Sequence, residues 1–176
     1  MSQPTHALTL TSNAGILRII ACEFGICSAF DPNTTPIDQR PPFEKFTAIW
    51  DTGASGTVIT QYVIDRCGLK ATGMTRNHTA AGTVDAETFL VNVELINGVK
   101  FANLRVIRGD LPPGAHALIG MDIITAGDFS ITNVNGKTIL SFRTPSQRAV
   151  DFVQEINKQK AAAAFKPAPP RHKKRR

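Results

Sequence analysis

Ile49-Trp50-Asp51-Thr52-Gly53-Ala54-Ser55 is the stretch that decides the reading, and its Asp-Thr-Gly triplet occurs once in the chain. The residues before it, from Phe46 to Trp50, are mostly apolar and read as a strand that runs into a turn. Asp51 sits where that strand ends, so its carboxylate projects from a rigid element. Thr52 supplies a hydroxyl able to reach a symmetry mate, and Gly53 permits a turn that a Cβ would obstruct. Ala54 and Ser55 are small; they leave space, and Ser55 adds a donor beside the carboxylate. A lone ionised carboxylate is a poor activator of water. Two in contact share one proton and act as an acid–base pair. One copy of the triplet therefore requires a second chain to complete such a pair.

Working outward, residues 7–30 are rich in β-formers, with Gly15 and Gly25 as expected bends or bulges, and predict two or three strands. Residues 31–42 carry Pro32, Pro36, Pro41 and Pro42 and predict a loop. Residues 60–67 predict a short helix capped by Thr60 and stopped by Gly68. Residues 76–96 alternate in β fashion around Gly82. Asn97-Gly98 and Asn135-Gly136 mark hairpin turns. Residues 99–107 and 117–120 read as strands, 122–126 as a brief helix and 129–142 as a hairpin. Residues 146–160 have helical spacing with Ser146 as cap, and 161–176 read as a disordered Pro/Lys/Arg-rich tail. The division expected is a folded domain over 1–145, a helix over 146–160 and that tail. The class is mostly β with two or three short helices.

Composition narrows the rest. Apolar residues make up 42% and charged residues 19% of the chain, as in ordinary globular proteins. The net charge of +6 is uneven: residues 158–176 hold eight Lys/Arg and no acid, whereas the body is slightly acidic. Three cysteines, Cys22, Cys27 and Cys67, stand in a chain without a secretory signal or a membrane-length apolar run. The expectation is a cytoplasmic protein with reduced, buried thiols, in which the Asn33 and Asn77 sequons stay unmodified. His6, His78, His116 and His172 lack paired-ligand spacing, so no metal or other cofactor is expected. Gly53-Ala54-Ser55-Gly56-Thr57 fails as a nucleophile elbow because residue 57 is not glycine. No phosphate-cradling glycine loop is present.

Three segments in order then carry a resemblance: residues 49–55, Thr79-Ala80-Ala81-Gly82-Thr83 inside a hairpin, and Ala117-Leu118-Ile119-Gly120-Met121-Asp122. Over about residues 8–142 the chain resembles the retropepsin-like aspartic proteases, single-domain enzymes that work as homodimers. The helix expected after the first segment resembles the cellular and bacterial members more than the compact viral ones. The resemblance implies a closed β-barrel of acid-protease half-domain type. It also implies that Asp51 is catalytic and that Thr52, Gly53, Ala54 and Ser55 support its turn. Ala81, Gly82 and Thr83 would line a flap over the substrate, and Ile119 and Gly120 would brace the site from beneath. Met121 stands where the viral pattern has Arg, so that ion pair with a partner subunit is absent.

The activity implied is hydrolysis of peptide bonds by a homodimer, with one Asp51 activating water and the protonated mate polarising the scissile carbonyl. The substrate would be an extended peptide lying as an added strand. The alternative is an inactive dimer of the same fold that binds peptides or partners. Asp122 reads equally as a helix cap. The basic end from Arg171 to Arg176 reads first as a solubilising tail, then as a weak contact to nucleic acid or an acidic surface, and third as a sorting signal.

Overall fold

The computed structural model describes residues 4–79 and 82–164. The expectations for Ala80 and Ala81 and for the tail beyond Ala164 fall outside those residues. The chain forms ten strands and three α-helices among the described residues, so the mostly β class holds.

Residues 7–30 give two strands, β1 (His6–Thr11) and β2 (Ala21–Ser28). The β-rich pattern predicted them, and Gly15 (φ +93°) turns the chain between them. Gly25 is not a bend. It lies inside β2, where a Cβ would come within 3.2 Å of the Glu94 Cβ on a paired strand. The chain continues through β3 (Glu44–Trp50), β4 (Val58–Ile59), α1 (Gln61–Cys67), β5 (Gly73–Thr79), β6 (Gly82–Leu95) and β7 (Lys100–Arg108). It ends with β8 (Ala117–Ile119), α2 (Met121–Ile124), β9 (Asp128–Thr132), β10 (Ile139–Thr144) and α3 (Phe152–Ala164).

Seven strands form one sheet in the order β2-β3-β8-β4-β7-β6-β5. The long strand β6 also pairs with β2, from Phe24↔Leu95 to Ser28↔Val91. That second pairing closes six strands into a barrel and leaves β5 as an outer arm on β6. Phe24, Ile26, Ile59, Val91, Val93, Leu95, Val106, Ile119 and Ile123 fill the interior and are fully buried. Within β2, four successive residues from Phe24 to Cys27 are buried, so that part of the strand reads as an apolar run rather than an alternation.

A second sheet, β1-β10-β9, packs beneath the end of β3. Trp50 joins the two sheets, with its ring centroid 5.5 Å from those of Phe129 and Phe142. The turn between β9 and β10 carries Asn135 and Gly136, both at positive φ, as that dipeptide predicted.

Two helix expectations need correction. Thr60 precedes α1, but its hydroxyl donates to the His116 carbonyl (3.2 Å) and caps nothing, while Gly68 ends the helix in the left-handed conformation as expected. The C-terminal helix begins at Phe152 rather than 146. The Ser146 hydroxyl is engaged by Asp128, and Asp151 caps instead, accepting from the Gln154 N–H at 3.0 Å. The helix then continues through the alanine run to Ala164, alanine being the strongest helix former.

Candidate active site

The connection from β3 to β4, residues 51–57, arches over the end of β8. Strand β8 lies between the strands that begin and end this arch. It pairs parallel with β3 (Trp50↔Ile119) and antiparallel with β4 (Val58↔Leu118). The arch is therefore gripped from beneath by a segment sixty-odd residues away. The Asp51 N–H donates to the Ile119 carbonyl (3.0 Å), and the Met121 N–H donates to the Ala54 carbonyl (2.8 Å). Within the arch, the Ala54 N–H donates to the Asp51 carbonyl at 3.3 Å.

Asp122 holds the far limb. Its Oδ2 accepts from the Thr57 N–H (2.8 Å) and its Oδ1 from the Thr57 hydroxyl (2.8 Å). Thr57 Oγ1 in turn accepts from the Gly120 N–H at 3.3 Å. The loop and its support thus form one closed hydrogen-bonded unit. Asp122 is not a cap for its own helix alone, and Thr57 had no place in the sequence reading. The available signal was an acid two residues after Gly120, but nothing local says that its partner is Thr57.

Gly120 is required by packing. A Cβ there would lie 2.4 Å from the Gly56 carbonyl carbon and 2.9 Å from the Thr57 nitrogen. Two backbones touch at this point, and only glycine lets them. Ile119 is fully buried, so its role is to place its carbonyl and fill the core.

The Asp51 carboxylate is half-buried at the top of the arch. Oδ1 accepts from the Gly53 N–H at 2.8 Å, the only hydrogen bond to this side chain among the described residues. Oδ2 keeps no partner there. Thr52 and Ser55 are exposed, and neither side chain bonds within the chain among the described residues. The hydroxyl expected of Thr52 toward a symmetry mate therefore remains available.

A cleft of about 900 Å³ lies beside the arch. Val58 and Leu118, paired where the arch ends, form its floor, and Leu111 and Asp110 line one end. Met74, Asn77, Val84 and Glu87 of the β5–β6 hairpin overhang it. Arg108 crosses toward Glu87 (3.6 Å). Gly82 opens β6 at φ +125° with no neighbour near its Cβ position, and Thr83 follows it on the same strand. Ala81 lies outside the described residues. Asp51, the turn residues, Ile119 and Gly120 thus meet in one place, whereas the cleft is lined by the neighbouring Val58 and Leu118 and by hairpin residues other than Gly82 and Thr83. Sequence reasoning missed the floor residues Val58 and Leu118, because they look like any buried strand pair.

No group of three or more His, Cys, Asp or Glu side chains suited to a metal occurs among the described residues. No described helix is long and apolar enough to cross a membrane.

Residues 43–126 match the family model for the gag-polyprotein putative aspartyl protease. No curated protein matches. Among solved structures, the chain is similar to a retropepsin-like aspartic protease from Rickettsia conorii, with 17% identity and a TM-score of 0.46 over 82% of this chain and 98% of that one. It is similar to EIAV protease complexed with the inhibitor HBY-793, with 19% identity and a TM-score of 0.44 over 65% and 91% of the two chains. It is also similar to the retroviral protease-like domain of Ddi1 from Leishmania major, with 19% identity and a TM-score of 0.35 over 54% and 83%.

Proposed function

We propose, from the premise that residues 43–126 make this chain a relative of the retropepsin-like aspartic proteases, that two copies form one aspartic endopeptidase. The observation that carries the reading is the half-built state of the Asp51 site. The Asp51 backbone N–H is held from beneath by the Ile119 carbonyl, and one carboxylate oxygen accepts from the Gly53 N–H. The other oxygen is free of partners among the described residues.

In the dimer, Asp51 of each copy contributes one carboxyl group and the pair holds one proton. The ionised member takes a proton from a water molecule. The water oxygen attacks the peptide carbonyl, whose oxygen receives the proton held by the other member. The resulting diol collapses as its nitrogen is protonated and the C–N bond breaks. The extended peptide lies in the cleft between the Val58–Leu118 floor and the β5–β6 hairpin, with its apolar side chains against Val58, Leu111, Leu118 and Val84.

A face for the second copy borders the catalytic arch. Ile16 (63% exposed) and Ile19 (60%) lie on one loop and Val134 (62%) on another. Those loops are tied together by the Leu17 N–H to Thr138 Oγ1 bond (2.8 Å). The next residue, Ile20, holds the Trp50 N–H at 3.0 Å, one position before Asp51. Three exposed apolar side chains beside the half-site suit an interface. Cytoplasmic residence belongs to the same proposal, supported by three free cysteines.

The test is cleavage of a peptide library at mildly acid pH. Asp51→Asn is expected to lower turnover about 10³-fold or more while leaving thermal unfolding unchanged. Ile16→Glu with Ile19→Glu is expected to give a folded monomer, by sedimentation, without activity. A dimer of the native chain that turns over no peptide at any pH favours the binding-module alternative. Activity retained in Asp51→Asn overturns the enzymatic reading.

A further inference from the structure

A second concavity lies away from the cleft, where the proline-rich loop 31–42 folds back on the barrel. Arg40 holds that loop in place. Its Nε donates to the Thr35 carbonyl (2.9 Å), a terminal nitrogen donates to the Pro32 carbonyl (2.7 Å), and the guanidinium lies 5.5 Å over the Phe30 ring. The loop so fastened walls off a cavity of about 320 Å³. Phe30, Phe43, Phe101 and Ile37 supply its apolar lining.

Its polar groups are of one kind. Asn92, at the base, is 2% exposed and fully engaged. Its amide nitrogen donates to the Phe30 carbonyl (2.8 Å), and its oxygen accepts from the Asn103 N–H (2.8 Å). The charged lining residues are Arg40 and Lys100, and no acid lines the cavity. Arg40 has no carboxylate in ion-pair range among the described residues. Lys100 reaches Glu94 (3.3 Å) in a network that also holds Lys45, which joins both Glu94 (3.5 Å) and Glu23 (3.4 Å), so two lysines meet two carboxylates. Arg40 is therefore the cation at this aromatic cavity that lacks a carboxylate partner among the described residues.

We propose that this cavity binds a small apolar monocarboxylate, an aryl or branched-alkyl acid. Its body would lie among the three phenylalanines and its carboxylate between Arg40 and Lys100. The size fits: small-molecule sites run from roughly 300 to 1,000 Å³, and this one is at the lower end, which excludes a nucleotide or a folded partner. The sign fits as well, because a cation would meet the like charges of Arg40 and Lys100, whereas an anion supplies Arg40 with the carboxylate it lacks. The site is independent of the Asp51 chemistry.

The experiment titrates the full-length ¹⁵N-labelled chain with 4-phenylbutyrate, its amide and 4-phenylbutylamine. The acid is expected to shift amides within residues 30–43 and 92–102, the amide to bind at least about tenfold more weakly, and the amine not to bind. Lys100→Gln is expected to weaken the acid several-fold. Ala102→Trp, which plugs the cavity from an exposed lining position, is expected to abolish binding with the fold intact. Equal binding of acid and amide, unchanged binding in Ala102→Trp, or shifts centred on Val58 and Leu118 would each overturn the proposal.

Discussion

The arch beside the cleft and the hairpin that lines the cleft are built in opposite ways. The arch, residues 51–57, is bound to β8 and α2 by contacts across about sixty residues of sequence, including the Asp122 clasp on Thr57. The overhanging hairpin is bound mainly to itself, through seven paired positions from Gly73↔Thr88 to Thr79↔Gly82. Its Met74 and Val84 are 61% and 52% exposed, and its Arg76–Asp85 pair is long (3.9 Å) and solvated. Such an ion pair contributes little. The difference teaches that position and access are separated. In the proposed dimer, a carboxylate that shares a proton must be held to a fraction of an ångström, which needs long-range clamping. A cover that admits an extended chain must open at low cost, which a hairpin with few buried contacts can do.

The strongest way to break this contrast is Gly120→Ala. The new methyl would meet the Gly56–Thr57 backbone, so about 2–4 kcal/mol of stability should be lost in chemical denaturation, and activity with it. Gly82→Ala on the hairpin meets no atom within 4 Å and should cost only the positive-φ strain, about 1–2 kcal/mol. Equal losses would refute the asymmetry. Next, Asp122→Ala removes both acceptors of Thr57 and should cost about 2–3 kcal/mol by the same assay. Val84→Thr on the hairpin should stay within about 0.5 kcal/mol.

A third region sharpens the comparison through pH. Asp128 in β9 accepts from the Ser146 hydroxyl, from Arg143 and from the Gln147 N–H, and these bonds hold its carboxyl below the usual carboxylate range. A depressed folded-state pKa adds stability above the unfolded value near 4 and loses it as pH falls below. Wild type should therefore melt higher than Asp128→Asn from about pH 5 to 7, with the two melting temperatures converging as pH falls toward 2. A gap that widens in acid would contradict the assignment. The smallest effect concerns the thiols. Burial pushes Cys22, Cys27 and Cys67 up to about 11, so none should react appreciably with a thiol reagent at pH 7.5 until the chain is unfolded.

Local chemistry made much of this protein legible. The Asp51 turn, the Gly82 hairpin, the Asn-Gly turns and the Gly68 stop each depend on residues within a few positions of one another. The same logic failed at Ser146 and Thr60, whose hydroxyls were read as caps but are taken by Asp128 and the His116 carbonyl. Local preference yields where a distant partner competes for the same oxygen.

The chain alone therefore determined that the Asp-Thr-Gly turn occurs as a single copy after an apolar strand, and that strands dominate the fold. Only the tertiary structure decided that β8 lies between the two limbs of the Asp51 arch, that Gly120 lies against Gly56, and that Asp122 grips Thr57. It also decided that β6 closes the barrel on β2, and that loop 31–42 encloses a cavity. The reason is physical. Turn and cap preferences are set by steric and hydrogen-bonding choices of adjacent residues. Strand order and backbone contact are set by which buried surfaces fit together, and no local stretch of sequence carries that choice.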